Sequence, residues 1–439
     1  MKNHNLLAIG LMTFAMFLGA GNIIFPPFLG LEAGTQYLPA MLGFSLTAVG
    51  LPSLTLIVLG RLSNSGQLTN ALPKPLAIAF WVSLLTAIGP AFGMPRAVTV
   101  AYEMGIKPFF SGDNLLLFSI IFVIASLLLS FQQGKLVHYI GKIMTPLLIL
   151  MLVALALAAV ISPLGTLNPP TADYQYQPIT SGLIQGYMTM DAIAAVGFGW
   201  IIIKAIREQG YESPNEVFIA TLKVTVIYAL LISACYLAMA YIGATSASIS
   251  EGTTNGGELL TRYVAEIFGP MGQYLLATII IMACLTTTVG LTNACAEYYQ
   301  QTFNYPFAIT AVIATCVTGI IANFGLDQIL AISLPAIIVL CPVAIALVLT
   351  ALCLPTTKSY LPVYVTIVGL TVILGGLDAL HILGLLPEYL STPLTKYVPL
   401  FSTYASWLLP VSVTIAISKW LNRQSTTAKN DQKKVTNLE

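Results

Sequence analysis

Leu18-Gly19-Ala20-Gly21-Asn22-Ile23-Ile24-Phe25-Pro26-Pro27 lies inside an apolar run long enough to cross a bilayer, yet its residues resist a continuous helix. Two glycines and an asparagine weaken the helix, and two prolines further on remove backbone donors. Backbone N–H and C=O groups are therefore expected to come free here. A comparable interruption, Ala195-Val196-Gly197-Phe198-Gly199-Trp200, is expected to break a second apolar span near its middle, five spans later. Because five is odd, spans one to five and six to ten run in opposite senses, so the two breaks fall at equivalent places of an inverted repeat. Paired broken helices of this kind point to a midplane substrate site in a secondary transporter. Freed N–H groups at a half-helix N-terminus favour a carboxylate, and freed carbonyls favour a small cation. The competing reading is that the glycines only let helices pack closely.

Working outward, runs of about twenty apolar residues fall at 6–29, 37–59, 76–100, 114–131, 143–162, 182–204, 217–243, 271–298, 306–323, 328–354, 361–380 and 400–420. Unpaired backbone groups in hydrocarbon cost several kcal/mol, so such runs must be helical. The expected fold class is all-α and polytopic, with twelve transmembrane helices. Residues 1–162 form the first five-helix repeat, 182–354 the second, 361–420 two extra helices, and 421–439 a disordered cytoplasmic tail. The first run continues through Ile23, Ile24 and Phe25, beyond any cleavage site a signal peptide would use.

Hydrophobic residues make up 57% of the chain and charged residues 8%, too few to cover a soluble globule, so the surroundings are a lipid bilayer. A net charge of +1 supplies no basic field for nucleic acid. With the N-terminus inside, thirteen Lys and Arg fall on the cytoplasmic side against Lys107, Arg262 and Lys396 outside, which places both termini in the cytoplasm. The six cysteines sit singly in apolar runs, and His4, His138 and His381 are far apart, so neither a metal cluster nor a His-based triad is expected. The loops carry no His, Asp or Glu cluster for a membrane enzyme, and nothing in the sequence sets an oligomeric state.

Three features together resemble the bacterial branched-chain amino acid:cation symporters: the segment from Phe14 to Gly30, the segment Gly89-Pro90-Ala91-Phe92-Gly93-Met94-Pro95-Arg96-Ala97 followed by Tyr102-Glu103, and the twelve-span layout. The resemblance implies uptake of leucine, isoleucine and valine with Na+ or H+ as coupling ion, no other cofactor, a bacterial cytoplasmic membrane, and a fold similar to the LeuT-type five-plus-five transporters. In that fold the first-helix segment Gly-Leu-Gly-Asn is similar to Gly19-Ala20-Gly21-Asn22, which implies that the N–H groups of Ala20 and Gly21 face the substrate carboxylate, with Asn22 a polar wall or cation ligand. Carried over in the same way, a Na+ site would use the carbonyls of Ala15, Leu18 and Ala283 with the hydroxyls of Thr286 and Thr287.

Read on their own chemistry, Thr286 and Thr287 offer hard oxygens of the kind Na+ takes, or else bond carbonyls of their own helix. Asp191 is an acid deep in a span, so it is expected to bind the substrate ammonium or carry a proton, unless it caps a helix that starts later. Phe17 and Phe198, beside Gly197 and Gly199, are expected to wall an apolar pocket, with Trp200 a further candidate. Arg96 and Glu103, seven residues apart on one helical face, read as an outer gate or, preferably, a structural ion pair. A permease of similar fold for another small zwitterion or a nucleobase is the nearest alternative.

Overall fold

The structure, a computed structural model, describes residues 2–62, 64–110, 112–131, 145–161 and 163–421. The tail from 422 on, and Lys135, His138 and Lys142, lie outside the described residues. The fold is all-α, with no strand among the described residues. The helices are α1 Lys2–Phe17, α2 Ala20–Ala33, α3 Tyr37–Ser45, α4 Leu51–Leu59, α5 Lys74–Thr86, α6 Gly93–Gly105, α7 Leu115–Ser130 and α8 Thr145–Ile161. They continue with α9 Pro178–Met188, α10 Asp191–Glu208, α11 Pro214–Ala244, α12 Gly256–Phe303, α13 Phe307–Ala322, α14 Leu326–Cys353, α15 Leu361–Ile382, α16 Glu388–Tyr397 and α17 Leu408–Leu421.

Among the described residues, six helical stretches are long and apolar enough to cross a bilayer, or seven if α9 and α10 form one bent span, and five further apolar helices are shorter. Twelve counts apolar runs, and local geometry cuts across that count. The 48-residue α12 is divided at Gly269 (φ 61°) before Pro270, close to where the apolar run begins. A π-helical segment at Ala87–Ala91, with Gly89 at φ −88° and ψ −119°, separates α5 from α6.

The chain divides into two compact units, residues 1–61 with 81–337 and residues 62–80 with 338–439. In the first unit the broken helices are clamped by close backbone approach. A Cβ on Gly30 would strike the Ala240 carbonyl, and one on Gly243 the Pro27 carbonyl, so α2 lies hard against α11. A Cβ on Gly182 would strike the Ala40 carbonyl, and one on Gly43 the Ile179 carbonyl, so α9 lies hard against α3. Packing of α1 on α11 and of α10 on α4 completes the pattern. Span one lies along span seven, and span six along span two. In the second unit, buried Asp378 of α15 accepts a hydrogen bond from Ser406 Oγ (2.8 Å), and the His381 ring sits 5.1 Å from that of Phe401.

Candidate functional site

The first break is narrower than its sequence suggested. The Leu18 N–H still reaches Phe14 O (2.9 Å), but the Gly19 N–H turns to Phe17 O (2.7 Å) and to Asn22 Oδ1 (3.1 Å). In an unbroken helix that N–H would go to the carbonyl of Ala15, which is left without its usual donor. The next turn, Ala20 to Asn22, opens α2 on Gly19, which has no side chain to cap it. Its N–H groups carry the partial positive charge of a helix start. Pro26 and Pro27 fall inside α2 without ending it.

The second break lies elsewhere than expected. Helix α10 runs unbroken through Ala195–Trp200; the chain instead breaks at Thr189 and Met190, between half-helices bent by 42°. Met190 holds a left-handed conformation (φ 67°, ψ 8°). Gly197 and Gly199 serve helix packing: a Cβ on Gly197 would run into Ile88 Cδ1, and one on Gly199 would come within 2.8 Å of Leu59 Cδ1. What stabilises the real break is Arg96. Its Nη1 donates to Met188 O (2.8 Å) and its Nη2 to Thr189 O (3.0 Å), capping the carbonyl end of α9. Arg96 therefore makes no pair with Glu103, which lines a separate polar pocket of about 380 Å³ with Lys107, Glu258, Arg262 and Asp327.

Asp191 is consequently the first residue of α10, where a helix start favours its negative charge. Its Oδ2 accepts hydrogen bonds from Asn22 Nδ2 and from the Tyr236 hydroxyl (2.9 Å), and Asn22 also bonds the Tyr236 hydroxyl. Asn22 thus ties the two breaks together. Both Asn22 and Asp191 are about 3% exposed or less.

Between the breaks is a cavity of about 40 Å³. Phe17, Gly19, Ala20, Asn22, Asp191, Phe198 and Thr287 line it, joined by Met16, Ile88, Arg96, Met190 and Leu291. The Phe17 ring lies 5.0 Å from that of Phe198 and 4.7 Å from that of Tyr228, which gives the cavity an apolar corner. Gly21 stands behind the wall, where a Cβ would run into Arg96 Nη2. Gly197, Gly199 and Trp200 are outside it, and the guanidinium of Arg207 lies over the Trp200 ring at 5.3 Å. Thr286 and Thr287 both donate to Ala283 O (2.8 and 3.1 Å), and Thr287 also approaches Met16 O at 3.5 Å. Each hydroxyl keeps lone pairs for a cation, whereas the Ala283 carbonyl is already shared by two donors. Leu18 is buried in the break itself. Sequence reasoning missed Met190, Tyr228 and Tyr236, and gave Arg96 the wrong partner; for Arg96 the signal was a lone charge inside an apolar helix.

Comparison with known proteins follows the same line. The family model described as branched-chain amino acid transport protein matches residues 2–425. The branched-chain amino acid transport system 2 carrier protein of Pseudomonas aeruginosa is 38% identical over 425 residues, covering 95% of this chain and 96% of that one. The branched-chain amino acid permease BrnQ of Escherichia coli K12 is 34% identical, covering 95% of each. Among solved structures, Mhp1, a nucleobase-cation-symport-1 family transporter, superposes with a TM-score of 0.62 at 13% identity, covering 95% of this chain and 93% of its own. MhsT in complex with L-phenylalanine gives 0.53 at 16% identity, covering 83% and 98%. At such identities these two likenesses concern the fold alone, which is that of the LeuT-type transporters. The chain belongs to the branched-chain amino acid transport protein family and is a multi-pass membrane transporter, not an enzyme.

Proposed function

We propose that the protein takes up leucine, isoleucine and valine by secondary active symport with a cation, Na+ in preference to H+, at the cavity between the two breaks. The observation that carries this reading is the meeting of α2's uncapped first turn, the Asp191 carboxylate and the Phe17–Phe198–Tyr228 corner at one small cavity. An amino acid needs an anion cradle, a counter-charge for its ammonium and an apolar wall, and these supply one of each. A ligand pocket typically measures about 300–1,000 Å³, against about 40 Å³ here. The site must therefore open to load, as alternating access requires.

Na+ would lie beside Thr286 and Thr287 with the carbonyls of Ala15, Leu18 and Ala283. The freed Ala15 carbonyl and the reach of Thr287 toward Met16 favour this place. A second reading, H+ coupling, rests on Asp191, a buried carboxyl already held by two donors and able to take a proton. The reciprocal packing of span one on seven and six on two supports an inverted repeat of residues 1–162 and 182–354, with 361–420 outside it. The charge bias of the loops supports both termini inside, and the bacterial relatives support a bacterial cytoplasmic membrane. Uptake of labelled leucine into proteoliposomes, with Na+ and pH gradients imposed separately, tests the proposal: accumulation driven by the Na+ gradient alone is expected, and no concentrative uptake of any branched-chain amino acid under either gradient overturns it.

A further inference from the structure

Arg96 has more donors than its neighbours use. A guanidinium presents five N–H donors; in Arg96 the carbonyls of Met188 and Thr189 engage Nη1 and Nη2, while Nε is buried with no partner. The residue is 5% exposed, and among the described residues no carboxylate forms an ion pair with it. The guanidinium also lies over the Phe25 ring at 5.7 Å, and Asp191, on the wall of the same cavity, forms no ion pair with it. A buried cation held in this way is costly unless a negative group joins it directly at some stage.

The surroundings say where that group would sit. Arg96 lines the same cavity as Asp191. Its Nη2 occupies the space a side chain on residue 21 would fill, so the guanidinium faces the uncapped first turn of α2. Glycine at 21 is thus explained by the approach of an arginine. Two independent positive groups, a helix start and a guanidinium, converge on one side of the cavity, and a carboxylate with two donors already attached stands on its wall as well.

From this geometry we infer that Arg96 is the side chain that selects for the substrate's carboxylate, so that the cavity recognises a zwitterion through side-chain charges of both signs. The inference rests on the amino-acid reading above and adds to it the group that rejects ligands lacking a carboxylate. An amine would pair with Asp191 but leave Arg96 unanswered; a simple carboxylic acid would do the reverse. The capping bonds from Arg96 to α9 hold the guanidinium in place, so substrate binding and the shape of the second break are joined in one residue.

The test compares, for the purified carrier in detergent, binding of leucine, 3-methylbutylamine and 4-methylpentanoate. Hydrogen bonds to a charged group are worth about 1.5–3 kcal/mol, so Arg96→Gln should weaken leucine about 10- to 150-fold. Binding of the amine should stay within about twofold, since it never used the guanidinium. Arg96→Lys should recover part of the leucine affinity. Gly21→Ala retains the charge and avoids any folding loss from removing it; by pushing the flexible guanidinium aside it should lower leucine affinity more than amine affinity. Equal weakening of leucine and amine in both Arg96→Gln and Gly21→Ala would overturn the inference and leave Arg96 a cap for the break. The comparison is run with whichever amino acid of a panel the wild type binds, together with its matching amine. Failure of the branched-chain reading is thereby separated from failure of this one, and a wild type that binds no amino acid overturns both.

Discussion

At Leu18–Gly19 the chain breaks among glycines and an asparagine, and the residues that redirect the backbone are within four positions of one another. At Thr189–Met190 it breaks at residues with full side chains, and the group that satisfies the freed carbonyls is Arg96, more than ninety positions away. The same architecture is reached in one case by local composition and in the other by a tertiary contact. The consequence is electrostatic. The first break brings the start of α2 to the cavity wall, whereas the second has its carbonyl end covered and offers Asp191 instead. The first break thus works through freed backbone groups and the second through side-chain charges of both signs, Asp191 and Arg96, and Asn22 ties the two together.

Both broken helices should fail most completely at the glycines that clamp them. Gly30→Ala would put a methyl against the Ala240 carbonyl, and Gly182→Ala against the Ala40 carbonyl, with backbone on both sides and no flexible end to yield. Each substitution should cost about 3 kcal/mol, at the top of the usual overpacking range, or abolish folding. Gly376→Ala, with nothing within 4 Å, should stay within about 0.5 kcal/mol. Thermal melting of the three variants in detergent checks this. Similar stability for all three would mean that the halves are not held by backbone contact.

Next in size is the contact between the breaks. Asp191→Asn removes the counter-charge but not the shape, and should weaken leucine about 10- to 150-fold, the worth of a charged hydrogen bond. The double change Thr286→Val with Thr287→Val deletes two hydroxyls at nearly constant volume, and should raise the Na+ concentration for half-maximal uptake at least about tenfold. Under H+ coupling the pattern inverts: the valine pair matters little, and Asp191→Asn allows exchange of leucine but no accumulation. Counterflow and gradient-driven uptake, measured on the same vesicles, separate these outcomes.

The sequence foretold most of the fold, because a bilayer admits only helices and closed barrels and the apolar runs are unmistakable. The first break was legible for a like reason: Gly19 and Asn22 redirect the backbone next to them, although Gly21 answers to Arg96 across the bundle. Gly197 and Gly199 misled because glycine breaks helices and also lets them pack, and only the neighbours Ile88 and Leu59 reveal which. Met190 gave no signal, since a methionine with positive φ depends on the surroundings that hold it there. Tyr236 looks like any aromatic residue in an apolar span until the Asp191 carboxylate is placed beside it, and Tyr228 until the Phe17 ring is. Arg96 was conspicuous, but spacing within its own helix pointed to Glu103 when the relevant partners lay across the bundle.

Gly19 and Met190, one residue at each break, differ in what their backbone demands. Gly19 adopts φ −97° and ψ −168°, extended backbone open to any residue, and a Cβ there would meet Thr287 only at 3.4 Å. Gly19→Ala should therefore be tolerated and, by narrowing the unfolded ensemble, should stabilise the ligand-free protein by up to about 0.5 kcal/mol. Met190, at φ 67°, is the opposite case. Met190→Gly and Met190→Ala discard nearly the same buried side chain, so their difference isolates the left-handed backbone. The glycine variant should be more stable by about 1 kcal/mol, the reverse of the order seen within helices. Melting temperatures of the three variants without ligand give both signs. If alanine were the better residue at 190 as well as at 19, Arg96 would not be holding strained backbone in place, and the two breaks would be of one kind.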